Sequence, residues 1–227
     1  MKKMILSLMA VLALTSCKFV SVSPGHISAD AVVLIGETVV DTLDFKDFHA
    51  ITIIGQADVD FVQADEYLVV LTATEGVLEY VDDKVEDGTL ILSTKKRTHV
   101  RSDKYRYTIH APELTSVTVN GAADLNVSSY LSDKDLKVEV NGAGDIDMTE
   151  VNVPNLGIQI NGAGDIVCKA LEAGSLEVEV NGAGDAKLSG HVGRADFSVN
   201  GAGDIDARHL VCENVTKSKH GVGSIKL

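Results

Sequence analysis

The stretch VEVNGAGDIDM at residues 138–148 decides the fold, because its central pentapeptide returns at a nearly constant interval. The pattern Asn-Gly-Ala-x-Asp occurs five times, and a degenerate sixth copy, HGVGS, follows at residues 220–224. The first residues of successive copies are 21, 20, 20, 19 and 20 positions apart. The full copies are Asn120–Asp124, Asn141–Asp145, Asn161–Asp165, Asn181–Asp185 and Asn200–Asp204. Such a regular period is typical of a protein built from stacked turns.

Apolar residues keep the same positions around every full copy. The first and third residues before the Asn, and the first and third residues after the Asp, are apolar in all five. This alternation on both sides of an Asn-Gly turn indicates strands with one buried face. One unit has too little apolar surface to fold alone, whereas stacking units in register buries the columns continuously. Because parallel crossovers are almost always right-handed, the sequence predicts an all-β fold, a right-handed parallel β-helix with turns of about 20 residues.

The regular period does not extend over the whole chain. A diverged turn is recognisable at Ile54–Asp58, and the period is lost between Phe61 and Pro112. We therefore predict a single β-helical domain over residues 31–227. Its regular repeats occupy residues 119–227, and an irregular insertion lies in its N-terminal part.

The N-terminus has the features of an export signal. Lys2 and Lys3 precede an apolar run, Met4–Leu14, which is too short to span a bilayer. These features predict a signal peptide over residues 1–16. Leu14–Cys17 resembles the lipobox of bacterial lipoproteins, which implies cleavage before Cys17 and attachment of acyl chains such as palmitate at that residue. Residues 17–30 would then form a lipidated tether.

The net charge restricts the possible binding partners, and the spacing of the cysteines argues against a disulfide. The formal charge of −13 becomes −15 when Lys2 and Lys3 are removed with the signal, which argues against nucleic acid as a partner. Cys168 and Cys212 are the cysteines that remain beside Cys17. The repeat places them two turns, or nearly 10 Å, apart, and that distance is too long for a disulfide. We expect both to remain thiols.

Several motifs together resemble one known family. They are the lipobox, the early I-x-I-x-G-x-x-D turn at residues 51–58, the segment Ile109–Leu114 and the N-G-A-G-D series. These motifs resemble the DUF2807 family, also named the putative auto-transporter adhesin head, or GIN, domain, which is common in Bacteroidetes lipoproteins. The resemblance covers roughly residues 40–227. It implies a β-helical fold and an envelope location, and it brings no catalytic residues with it.

The aspartate column is the first candidate site. Stacked carboxylates about 5 Å apart repel one another, so something must compensate their charge. A calcium ion or another cation could do so, since hard cations bind carboxylate oxygens. Alternatively, each Asp accepts backbone N–H bonds within its own turn. The column consists of Asp124, Asp145, Asp165, Asp185 and Asp204.

A basic cluster in this acidic chain is the second candidate site. Tyr105 and Tyr107 are interleaved with its charged residues. The cluster could bind an anionic glycan, a lipid headgroup or an acidic partner, and the alternative is a solvated hairpin loop. Its members are Lys95, Lys96, Arg97, Arg101, Lys104 and Arg106.

Two lysines mark the end of the repeat. Lys217 and Lys219 occupy the positions three and one before the sixth copy, where earlier turns carry Val, Ile or Phe. Inward charge on an edge strand opposes pairing with another chain. We therefore expect these lysines to cap the solenoid and to keep the protein monomeric.

The leading functional hypothesis is a lipid-anchored, non-enzymatic module of the cell envelope. It would serve in binding, adhesion or structural support, with an envelope protein or glycan as its unidentified partner and with no cofactor. We expect an outer-membrane lipoprotein that faces the periplasm. Two alternatives remain: a carbohydrate-active β-helix enzyme that uses Asp residues with a metal, and an envelope module stabilised by Ca²⁺.

Lipidation at Cys17 gives a direct prediction. The Cys17→Ala change should leave an unacylated precursor, because the thioether can form only on the cysteine sulfur. Detergent phase partitioning of cell extracts measures this, and the variant should move to the aqueous phase. A variant that partitions into detergent like the wild type would contradict the lipobox interpretation.

Overall fold

The structure, a computed structural model, describes residues 31–34, 36–95, 99–102 and 104–227. The predicted signal and tether lie outside the described residues, as do Cys17, Lys96, Arg97 and the side chain of Arg101. Within these ranges, no helix is long and apolar enough to cross a membrane.

Strands make up nearly all of the ordered elements, and a short 3₁₀ turn lies at Val77–Glu79. The strands are β1 (Ala31–Leu34), β2 (Thr38–Leu43), β3 (Ala50–Gly55), β4 (Asp58–Gln63), β5 (Leu68–Thr74), β6 (Lys84–Glu86), β7 (Thr89–Leu92), β8 (His99–Ser102), β9 (Tyr105–Ala111), β10 (Ser116–Gly121), β11 (Leu125–Leu131), β12 (Leu136–Val140), β13 (Ile146–Ile160), β14 (Ile166–Val180), β15 (Ala186–Val199), β16 (Ile205–Lys219) and β17 (Ile225–Lys226). Strands β1 and β8 pair with each other, and the remaining strands form one continuous sheet.

Equivalent positions of successive repeats stack directly on one another. Ile146 pairs with Ile166, Ile166 pairs with Ala186, and Ile160 pairs with Val180. Strands β13 to β16 are parallel neighbours over nearly their full length. The predicted all-β solenoid with turns of about 20 residues is therefore confirmed.

Each long strand covers two sides of the solenoid. The first part of β13 pairs with β11 and its last part pairs with β12, so one strand bends around the core before the next turn. Its inward residues are buried, and Ile160 is fully covered. Burying an isoleucine side chain stabilises a fold by about 1.5–3 kcal/mol. A register slip of one residue would expose whole columns of such residues, so the core fixes the register.

The one short interval in the repeat, 19 residues between Asn181 and Asn200, is absorbed within β15. The register of β15 shifts there relative to both neighbouring strands. Gly190 lies at this irregularity with a φ angle of 130°. A Cβ atom on Gly190 would lie 2.1 Å from the carbonyl oxygen of Leu171. Glycine is required because another side chain would be strained and would collide with the preceding turn.

The irregular N-terminal region inserts its layers out of chain order. Strands β3 and β4 stack on β10 and β11, so Gly55 of the diverged turn lies opposite Gly121. Strands β7 and β9 come later in the chain but stack on the other side of β3 and β4. Antiparallel strands then pair the outer edges, β6 with β7, and β5 with β9. The insertion after Phe61 therefore completes the N-terminal end of the stack.

A partly buried polar cluster ties the β6–β7 hairpin to β9. The Tyr107 hydroxyl donates to Asp83 Oδ2 at 2.6 Å, and the Ser93 N–H donates to Asp83 Oδ1 at 2.9 Å. The Tyr105 hydroxyl lies 3.4 Å from that of Tyr107. Burial raises the pKa of Asp83 to about 6, because the charged carboxylate loses solvation.

Glycine allows neighbouring turns to meet at backbone distance. The Ala163 N–H donates to the Gly142 carbonyl oxygen at 2.8 Å. A Cβ atom on Gly162 would lie only 1.9 Å from that same oxygen. The first glycine of the N-G-A-G-D turn therefore leaves the space that the backbone of the preceding turn fills.

Replacing this glycine gives a stability prediction with an internal control. Gly162→Ala should lower the free energy of unfolding by about 3 kcal/mol, because the new methyl group overlaps backbone that cannot move alone. Gly157→Ala is the matched control, since no atom lies within 4 Å of a Cβ at that position. Urea denaturation measures both variants. Equal losses at the two positions would contradict the close-contact explanation.

The Asp83 cluster predicts that the wild type and Asp83→Asn differ in free energy of unfolding by an amount that depends on pH. Because the folded-state pKa of Asp83 is raised to about 6, ionisation of this group costs stability as the pH rises from about 4 through 6. Asp83→Asn should therefore raise the free energy of unfolding at pH 8, by up to about 3 kcal/mol, and change it little at pH 4. Asp65→Asn, at an exposed aspartate, is the control. The same effect of Asp83→Asn at both pH values would contradict this account.

Candidate functional site

The repeated aspartates link successive turns. Oδ1 of each Asp accepts the backbone N–H of the equivalent residue one turn later, at 2.8–3.1 Å. These bonds join Asp124 to Asp145, Asp145 to Asp165, Asp165 to Asp185 and Asp185 to Asp204. The sequence-based expectation placed the donor within the same turn. The donor lies in the next turn because strands stacked about 4.8 Å apart bring that N–H within reach of a short side chain.

Asp204 is the last aspartate of the column. Its Oδ1 accepts the Ser224 N–H at 2.8 Å, and its Oδ2 accepts Lys226 Nζ at 2.8 Å. The Lys226 ammonium and the donors of Ser224 lower the pKa of Asp204. The degenerate sixth copy therefore continues the bonding pattern and supplies a positive charge at its end.

The aspartate column stands in single file, with one carboxylate in each turn. Calcium takes six to eight oxygen ligands, which must converge on one point. In the described part of the chain, no group of three His, Cys, Asp or Glu side chains could hold a metal ion. The observed bonds give each Asp a structural role, and stabilisation by calcium stays the competing hypothesis.

The asparagines of the repeat form a ladder of side-chain amides. Each Nδ2 donates to the Oδ1 of the preceding Asn at 2.9–3.0 Å. The ladder runs through Asn120, Asn141, Asn161, Asn181 and Asn200. The repeated polar residues thus bond to one another along the stack, which makes the turn face a rigid scaffold.

The basic residues of the predicted cluster contact separate elements. Lys95 Nζ donates to the carbonyl oxygen of Glu79 in the 3₁₀ turn, and Lys104 Nζ donates to Thr38 Oγ1 in β2 at 2.7 Å. Arg106 forms ion pairs across to β4, with Asp58 at 3.0 Å and with Asp60 at 2.8 Å.

The tyrosines of the predicted cluster do not share its surface. Tyr105 and Tyr107 are buried, so they present no aromatic face among the basic side chains. The described members therefore do not form one basic and aromatic surface, and Arg106 already has two carboxylate partners.

Both remaining cysteines are free thiols. Cys168 is buried in an inward column, where it lies opposite Leu188, and burial raises its pKa to about 12. Cys212 is half-buried in β16. A buried thiol with a raised pKa is a poor nucleophile, so Cys168 acts as a small apolar residue of the core.

The last turn places lysines where the core columns end. Lys217 lies opposite Phe197 and Lys219 lies opposite Val199, and both lysines are exposed. A shallow cavity of about 420 Å³ opens beside them, lined by Lys217, Ser218, Lys219, Ser224 and Ile225. These two inward columns therefore finish in a polar, positively charged surface at the C-terminal end.

A second shallow cavity, of about 460 Å³, is a feature that the sequence did not indicate. The segment after β2 and the segment before β5 form it together, with Phe45 and Tyr67 among carboxylates. These two segments, 42–46 and 65–68, have no repeat pattern, so only their meeting in space could identify the cavity.

The aspartate column gives a prediction that separates its two roles. Asp165→Asn should change the melting temperature little, because the amide oxygen can still accept the Asp185 N–H. Asp165→Ala should cost about 1–3 kcal/mol, because it removes that bond. Adding calcium should leave the melting of all three proteins unchanged. A calcium-dependent rise in melting temperature that Asp165→Asn abolishes would instead identify a cation site.

Solved structures share this fold across nearly their whole length. A putative lipid binding protein from Parabacteroides distasonis is 20% identical, with a TM-score of 0.78, and the match covers 87% of this chain and 99% of that one. A putative adhesin from Parabacteroides merdae is 21% identical, with a TM-score of 0.78 and coverage of 88% and 100%. A putative adhesin from Bacteroides fragilis is 22% identical, with a TM-score of 0.70 and coverage of 86% and 99%.

No curated protein matches the sequence. A family model does match, over residues 47–170 and again over residues 149–227, so the matches include most of the chain. The model describes the "putative auto-transporter adhesin, head GIN domain", which is the family that the sequence motifs resemble. The chain therefore belongs to the DUF2807, or head GIN domain, family.

Proposed function

We propose that this chain is a lipid-anchored, non-enzymatic binding module of the cell envelope. One observation carries the proposal: the repeated polar residues form hydrogen bonds within the stack. Their Asp and Asn side chains bond to neighbouring turns, so the repeats build a stiff support rather than a reactive centre. Membership of an adhesin-like family supports an envelope location and a binding role.

The anchor and its orientation complete the proposal. Acyl chains on Cys17 would hold the protein in the outer membrane, with the solenoid facing the periplasm. Each buried methylene group contributes about 0.8 kcal/mol, so two or three acyl chains give stable attachment. The solenoid would then present its insertion and its C-terminal end to an envelope protein or glycan.

An enzyme that uses the aspartates with a metal is the main competing function. Carbohydrate chemistry needs different groups that converge in a cleft, whereas the column repeats one residue type in single file. Each of these carboxylates also has one oxygen engaged by a backbone N–H. This arrangement favours the binding module over the enzyme.

Cell fractionation and protease accessibility test the proposal together. The wild type should sediment with outer membranes and resist protease in intact cells, and it should be cleaved once the outer membrane is permeabilised. Cys17→Ala is the control and should be absent from the outer-membrane fraction. Cleavage in intact cells would show surface exposure instead.

A direct assay separates binding from catalysis. The purified mature chain should release no new reducing ends from neutral or acidic polysaccharides. Turnover that Asp165→Asn abolishes would establish the enzyme and reject the binding module.

A further inference from the structure

The two ends of the solenoid differ in how their edges are paired. At the N-terminal end, short antiparallel strands cover the parallel layer: β5 pairs with β9, β2 pairs with β5, and β6 pairs with β7, so that β2 and β6 are outermost. At the C-terminal end, β16 extends over Ile205–Lys219, but only Ile205 and Asp206 pair with β17. Beyond Asp206, no described strand pairs with the outer edge of β16. The Arg208 N–H donates to Asp206 Oδ1, and the Asn214 carbonyl oxygen accepts from the Cys212 thiol. The other outward N–H and C=O groups of this edge can accept another strand.

The core is open along this edge. Val215 is 41% exposed, whereas Ala195, in the same column one turn earlier, is fully buried. Leu210 and Cys212 end two other inward columns and are only partly covered. One further strand would cover these three residues in the way that β16 covers β15.

Positive charge follows these apolar residues along the inward side of β16. Arg208 pairs with Asp206 and Lys226 pairs with Asp204, so these cations have carboxylate partners. The ammonium groups of Lys217 and Lys219 form no ion pair or hydrogen bond with any residue that the structure describes. A strand that covers them must therefore bring its own acceptors, because burying unpaired ammonium groups is costly.

These features distinguish between the available occupants. A second copy joined at the same end would bring four ammonium groups together, which repel. A lipid surface could neutralise the lysines, but it cannot satisfy the free backbone groups of β16. An extended protein segment with carboxylates satisfies both the edge and the charge.

We infer that the outer edge of β16, at the C-terminal end of the solenoid, is a docking site for an extended segment of a partner protein. The segment adds as a parallel strand, places apolar residues over Leu210, Cys212 and Val215, and places carboxylates at two alternate positions over Lys217 and Lys219. Parallel addition continues the pairing of every layer from β10 to β17. This inference rests on the proposed function as a binding module and names its partner class.

The lysines also account for selectivity. They oppose a strand with apolar residues at those two positions, such as a further turn of the same repeat. They favour a strand with carboxylates there, because each charge-assisted contact forms in partly desolvated surroundings. The two lysines that oppose pairing of the edge with another copy are thus the residues that recognise the partner.

Peptide binding to the mature chain tests the inference. The probe is a fluorescent peptide with valines aligned to Leu210, Cys212 and Val215, and glutamates aligned to Lys217 and Lys219. We expect saturable binding by fluorescence anisotropy that weakens as salt is added. Moving each glutamate by one position turns it to the outer face and should weaken binding by about tenfold or more. Methylating alternate backbone nitrogens of the peptide should also abolish binding, because it removes donors to the edge.

Variants of the chain give the matching measurement. Lys217→Gln and Lys219→Gln should each weaken binding of the probe by about tenfold. Lys187→Gln, at an exposed lysine of the preceding turn, is the control and should leave it unchanged. Lys217→Val with Lys219→Val should lose the preference for glutamate and form concentration-dependent oligomers with unchanged β content. Thermal melts of all variants confirm that they are folded.

Three results of the peptide assay would each overturn the inference. They are the absence of binding by any peptide, equal binding of the shifted peptide, and binding that is insensitive to both lysine changes. Sedimentation with vesicles of phosphatidylglycerol and phosphatidylethanolamine, if lost in the double Gln variant, would assign the lysines to a lipid surface and also reject the strand. Failure of peptide binding while the wild type remains in the outer-membrane fraction would reject this inference alone.

Discussion

Contact between the backbones of equivalent glycine turns is the constraint on which the rest of the structure depends. Gly162 fits against the carbonyl oxygen of Gly142 because it has no Cβ atom, and the turn one layer later repeats this contact. The turns can therefore approach to the spacing of paired strands, about 4.8 Å. That spacing brings the Asp and Asn side chains of adjacent turns within hydrogen-bond distance, and it aligns the apolar columns between them.

The same spacing creates an electrostatic problem that the backbone solves. Five carboxylates follow one another along the stack in an acidic protein. Each of the first four accepts an N–H from the next turn, and the last accepts an N–H from Ser224 and the ammonium of Lys226. Hydrogen bonding to the charged form offsets repulsion between neighbouring carboxylates. Residues that resemble a ligand set in the sequence therefore act as cross-links between turns.

The chemically distinctive surfaces of this solenoid lie at its two ends, outside the regular repeats. The N-G-A-x-D turns carry nearly the same residues in every layer, so the turn face of the solenoid is uniform. The N-terminal insertion brings together groups from distant parts of the chain, such as Asp83, Ser93 and Tyr107. The last turn substitutes lysines for core residues, and beyond Asp206 no strand among the described residues pairs with its outer edge. A scaffold of this kind places its distinctive surfaces at its two ends.

The sequence by itself determined the repeat, the strands and side-chain directions of the regular turns, and the family. These properties follow from the alternation of apolar and polar residues and from the period of about 20 residues. Both can be read directly from the order of residues in one sequence. It also identified Lys217 and Lys219 as departures from the core pattern, because the neighbouring copies supply the comparison.

Only the tertiary structure decided which partners the polar residues take. The Asp side chains bond to the next turn rather than their own, and Arg106 pairs with Asp58 and Asp60. Likewise, β7 and β9 stack ahead of β3 and β4 although they follow them in the chain. A sequence without a period gives no register, so its contacts depend on which distant segments meet. Hydrogen bonds between layers are long-range contacts of this kind, and they are fixed only when the turns are stacked.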